Sequence, residues 1–94
     1  MNIGYRPPFR RFVKKQARAF QLAIEDAAFE VIGAPDIGEA KKGDLSGFRV
    51  YKFRFRGQEY LIAYALEPNG IVFYMIDSHE NFSEALKRYL KEAK

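Results

Sequence analysis

Beyond Val50, aromatic and cationic residues alternate without a break: Tyr51, Phe53 and Phe55 against Lys52, Arg54 and Arg56. Successive side chains of a strand point to opposite faces, so this segment folds as a strand with one apolar and one basic face. Gly57-Gln58 reads as a two-residue hairpin turn, with Glu59 to Leu66 as the returning strand. Pro68-Asn69-Gly70 makes a second turn, and Ile71 to Asp77 a third strand. Pairing across the first turn sets Phe55 opposite Tyr60, Phe53 opposite Ile62 and Tyr51 opposite Tyr64 on the apolar face. On the other face Lys52, Arg54 and Arg56 oppose Ala63, Leu61 and Glu59. The Asn-Gly turn adds Tyr74 and Ile76 to that basic face, an assignment that a one-residue slip reverses.

A sheet with one apolar face needs a cover, and the first third of the chain supplies it. Ile3 and Tyr5 suit a short edge strand, and Pro7-Pro8 opens a helix where missing amide donors cost nothing. Phe9, Phe12, Val13 and Phe20, then Ala23, Ile24, Ala27, Ala28 and Val31, form an apolar stripe at helical spacing. One long helix or two in a hairpin both fit; the hairpin, breaking near Lys15 to Ala17, folds the first helix back onto the sheet. Gly33-Ala34-Pro35 ends the helical region, and Asp36 to Gly47 reads as a polar loop. A last helix, capped at Asp77-Ser78, Asn81 or Ser83, carries Phe82, Leu86, Tyr89 and Leu90 on one side and ends near Ala93. The expected fold is α+β: an antiparallel sheet of a short N-terminal strand plus a three-strand meander, with a helical hairpin on one face and a C-terminal helix. Residues 1–94 form a single domain, since no repeat or linker divides them.

Composition narrows the chemistry. There is no cysteine and a single histidine, which excludes disulfides, thiolate zinc sites, cysteine nucleophiles and multi-histidine metal centres. No apolar run approaches the roughly 20 residues of a membrane span, and no signal-peptide core opens the chain; the expectation is a cytoplasmic protein without a membrane partner. Six cations and no anion lie between Met1 and Arg18, whereas six acids face four bases from Glu59 onward. The net charge of +4 favours polyanionic partners.

Lys52, Arg54 and Arg56 at period two make a phosphate-binding surface, because guanidinium grips phosphate oxygens bidentately. The same pattern also serves solubility and protects a sheet edge. Tyr74 nearby can stack on a base. His79, just past the third strand, suits proton transfer near neutral pH, although a lone histidine in a turn is more often a plain surface residue. Arg10, Arg11, Lys14, Lys15 and Arg18 are the solvated side of an amphipathic helix or a contact for RNA or an acidic segment. No carboxylate cluster for magnesium is visible, so an enzyme built from these parts works without metal or cofactor. RNA cleavage by its own 2′-hydroxyl meets that condition, needing only a base, an acid and cations.

Pro35-Asp36-Ile37-Gly38-Glu39, Gly43-Asp44-Leu45-Ser46-Gly47, Arg49-Val50-Tyr51-Lys52-Phe53, Tyr60-Leu61-Ile62-Ala63-Tyr64 and Ser78-His79-Glu80-Asn81-Phe82, in that order, resemble the RelE/ParE toxin superfamily. The resemblance implies a small bacterial toxin held inactive by a cognate antitoxin. RelE-like members are metal-independent endoribonucleases that cut mRNA on the ribosome and so inhibit translation; ParE-like members inhibit DNA gyrase. An inactive relative that only binds its antitoxin is a further alternative. Lys52 and Arg54 carry over directly; with His79 they make the expected catalytic set, and Arg49, Arg56 and Tyr74 are the RNA or phosphate contacts expected to compensate for a missing family Arg. The family's next Arg corresponds to Leu61, and His79 stands in for its C-terminal catalytic Tyr.

Overall fold

The computed structural model describes residues 1–92. Its elements are β1 (Asn2–Tyr5), α1 (Pro7–Lys14), α2 (Arg18–Gly33), β2 (Glu39–Ala40), β3 (Arg49–Phe55), β4 (Gln58–Glu67), β5 (Gly70–Ser78) and α3 (Phe82–Glu92). The helical hairpin breaks where expected, between Lys14 and Arg18, and the helical region stops at Gly33. The expected end of α3 at Ala93 lies outside the described residues. No helix among the described residues is long and apolar enough to cross a membrane.

The strands form one sheet in the order β1-β5-β4-β3-β2. It is antiparallel except for β1, which pairs parallel with β5. The segment read as a loop from Asp36 to Gly47 adds a fifth strand, because Glu39 and Ala40 pair with Val50 and Arg49 before a 3₁₀ turn over Gly43–Leu45. Two residues carry no readable period, so β2 was invisible to pattern.

The β3–β4 turn is Arg56-Gly57, not Gly57-Gln58, since Phe55 pairs with Gln58. Both turn residues have positive φ, 52° and 80°, as the primed turns that match strand twist require. The register is therefore displaced by two residues: Lys52 opposes Leu61, Arg54 opposes Glu59 and Phe53 opposes Tyr60. A shift of two leaves every side chain on its expected face, because the pleat repeats every two residues. Arg56 is the exception, drawn out of the strand into the turn.

A second departure lies on β5. Ala63 pairs with Met75 but Tyr64 pairs with Phe73, so Tyr74 is the extra residue of a bulge. Tyr74 stays with Met75 on the basic side, while Ile76 sits opposite Ile62 in the core beneath the helices, contrary to expectation.

That main core packs Phe9 of α1 and Phe20, Ile24, Ala27, Ala28 and Val31 of α2 against Ile62, Tyr64, Ile71, Phe73 and Ile76. The small alanines let α2 approach the sheet closely, and Phe20 stacks on Phe55 with centroids 4.6 Å apart. The opposite face is not fully open. Phe82 and Leu86 of α3 bury Val50, Leu61, Ala63 and Met75 in a second, smaller core. Only the part of the basic face toward the β3–β4 turn remains exposed, through Lys52 and Arg54.

Candidate functional site at the turn end of the basic face

Cross-strand pairing builds the site as two rows. Lys52, Leu61 and Asp77 form one row across β3, β4 and β5. Arg54 and Glu59 form the next, completed by His79, whose amide donates to the Glu59 carbonyl at 3.0 Å and so continues the β4–β5 ladder one residue past Ser78. Neighbouring strands lie about 4.8 Å apart and same-face residues about 7 Å apart along a strand, so Lys52, Arg54 and His79 fit within one nucleotide-sized patch.

The rows mix charges. His79 Nδ1 lies 3.3 Å from Glu59 Oε1, and the His79 side chain is exposed. Arg54 donates to the Gly57 carbonyl at 2.9 Å, which lays its side chain along the turn. Asp77 accepts from the Ser78 amide at 2.7 Å, directing the chain from β5 toward α3. Glu39 of β2 adds a further carboxylate. Its hydrogen bond and ion pair with Lys41, at 2.7 Å, hold its pKa below the ordinary value, with a smaller contribution from Lys52. Sequence reading placed Glu59 on this face but missed its partnership with His79, because twenty positions separate them and only the β4–β5 register joins them. Among the described residues, no group of three or more His, Asp or Glu side chains is placed to hold a metal ion.

The other expected contacts lie elsewhere. Arg49 has the odd parity of Tyr51 and so points to the opposite face, where it donates to the carbonyls of Asp36 at 3.1 Å and Gly38 at 2.7 Å. Arg56 lies over the Phe55 ring, 5.0 Å from its centroid. Tyr74 packs edge-on against Phe48 at 4.9 Å, with the Arg6 guanidinium 5.4 Å from its ring, toward the far end of β3 from Arg54. Leu61, the position where the resemblance leads one to expect an Arg, is only 7% exposed and lies under α3, so it serves packing here.

The fold recurs in solved structures. The RelBE2 toxin–antitoxin complex of Mycobacterium tuberculosis contains a chain with TM-score 0.66 and 20% identity, the match covering 83% of this chain and 96% of that one. The isolated RelE toxin of E. coli gives TM-score 0.60 and 18% identity over 93% and 96% of the two chains. The intact E. coli RelBE complex gives 0.62 and 14% over 79% and 90%. At these identities the likeness is one of fold. No curated protein sequence matches the chain. The family model for the ParE-like toxin of type II bacterial toxin–antitoxin systems matches residues 3–87. That span runs from β1 into α3 and takes in both rows of the basic face, and the chain belongs to the ParE-like toxins of type II bacterial toxin–antitoxin systems, within the RelE/ParE superfamily.

Proposed function

We propose that this toxin is a metal-independent endoribonuclease that cleaves mRNA on the ribosome in the cytoplasm and so inhibits translation. The observation that carries this reading is the convergence of Lys52, Arg54 and His79 on one exposed end of a single sheet face. The RNA supplies its own nucleophile: the 2′-oxygen bonds to phosphorus, the bond from phosphorus to the 5′-oxygen breaks, and a cyclic phosphate and a free 5′-hydroxyl result. One proton leaves the 2′-hydroxyl and one reaches the 5′-oxygen. His79 serves one of these transfers as base or acid, and Lys52 serves as the other partner or as a charge stabiliser. Lys52 and Arg54 together offset the charge that grows on the phosphoryl oxygens. No cofactor is involved in these steps. A cognate antitoxin is the natural partner, as in the RelBE complexes that share the fold.

The match to a ParE-like model favours a second reading, a non-catalytic inhibitor of DNA gyrase that uses the same face to bind. An antitoxin-binding relative without activity is the third. Pulse-labelling after induction without antitoxin separates them. An early fall in amino-acid incorporation alone supports mRNA cleavage. An early fall in thymidine incorporation alone overturns it in favour of gyrase, and no change in either leaves the inactive relative.

A further inference from the structure

We propose that Glu59 is a positioning residue for His79: its carboxylate keeps the imidazole proton on Nδ1 and leaves Nε2 turned outward as the atom that exchanges a proton with substrate. The inference rests on the reading of His79 as the acid or base of the toxin.

Two contacts carry it. The Glu59 main chain holds the His79 main chain, through the amide-to-carbonyl bond of 3.0 Å. The Glu59 side chain then meets the ring of the same residue, Oε1 lying 3.3 Å from Nδ1. Backbone and side chain thus converge on one residue, which limits both where the ring starts and which edge it presents. A carboxylate only accepts hydrogen bonds, so the nitrogen facing it carries the proton in either charge state of the ring. The other nitrogen is then a free acceptor when the ring is neutral and a donor when it is charged, the two states needed for taking and returning a proton.

Exposure fits the division of labour. The Glu59 side chain is 27% exposed and the His79 side chain 63%, so the carboxylate is set back in the sheet and the ring stands in front of it. Arg54, cross-strand from Glu59, directs its guanidinium to the Gly57 carbonyl, and the basic side chain that meets the Glu59 carboxylate is His79. The Glu59 carboxylate is thereby committed to the ring rather than to the neighbouring arginine.

His79 is the only histidine, so ¹⁵N imidazole spectra of the whole chain report on it alone. With the ring neutral, the wild type is expected to show Nδ1–H with Nε2 bare. In Glu59→Gln, which can both donate and accept, the signals move toward the Nε2–H form. With mRNA on programmed ribosomes as substrate, kcat in Glu59→Gln falls about ten- to a hundredfold, within the range that acid–base groups supply, while KM changes by less than about twofold. Glu59→Asp recovers part of the rate. A tautomer unchanged by Glu59→Gln overturns the proposal, as does a moved tautomer with kcat intact. A tautomer moved by Glu59→Gln, together with a wild type that cleaves no mRNA on programmed ribosomes, upholds the Glu59 hold on the ring and removes the ribonuclease reading instead.

Discussion

The Tyr64 hydroxyl ties the centre of the sheet to a single turn far upstream in sequence: it accepts from the Gly38 amide at 2.8 Å and donates to the Pro35 carbonyl at 2.7 Å. Arg49, its cross-strand partner, donates to the carbonyls of Asp36 and Gly38. The segment leading into β2 is thus pinned from the centre of the sheet, and Glu39 is delivered beside Lys52. The approach is so close that a Cβ on Gly38 would stand 2.7 Å from the Tyr64 ring.

Tyr64→Phe leaves the Gly38 amide and the Pro35 carbonyl without these partners, and is expected to lower stability by about 1–3 kcal/mol in urea unfolding. A pH signature accompanies it. Burial, the largest influence, raises the Tyr64 pKa above its ordinary 10.0. The folded chain therefore binds this proton more tightly than the unfolded chain does. The resulting stability is complete below the unfolded value and is lost as pH rises through the folded one. The wild type should lose stability more steeply above that range than Tyr64→Phe; parallel alkaline slopes would contradict the assignment.

Phe20→Ala is expected to cost about 3–5 kcal/mol, the usual range for deleting a buried aromatic. Phe20 meets Phe12, Phe53, Phe55 and Tyr60 and so ties α1 and α2 to the hairpin that carries Lys52 and Arg54. Thermal unfolding measures the loss.

Gly70→Ala should detach β1. A Cβ there would overlap the Asn2 backbone, which cannot move aside as a flexible side chain can, and Asn2 is paired with Gly70 in the parallel ladder. The loss is expected at about 2 kcal/mol or more. Hydrogen exchange would show amides of β1 losing protection while those of β3 and β4 keep theirs.

Lys52→Ala combined with Arg54→Ala is expected to abolish growth inhibition while shifting stability by no more than about 1 kcal/mol, since both side chains are exposed. A folded double variant that still arrests growth would remove both residues from the site. Replacing Arg49 instead should lower stability, because its guanidinium holds the segment before β2 rather than the exposed face.

The helices, the three long strands and the basic face were legible in the sequence because each depends on a local period. The alternation from Tyr51 to Phe55 assigned faces correctly even though the turn was placed one residue late, since a register error of two leaves pleat parity unchanged. The stripe through Phe20, Ile24, Ala27 and Val31 likewise specified which side of α2 is buried. Tertiary structure alone decided the rest. The bulge at Tyr74 sent Ile76 into the main core, because a single extra residue inverts parity for everything beyond it. β2 exists through pairing with β3 rather than through any pattern of its own. The Glu59–His79 contact joins residues whose nearness follows from strand register, and Leu61 is core because α3 folds over it. Local sequence determines the periodic elements and their faces; long-range register and packing determine which polar groups meet, because that depends on where separate elements come to rest.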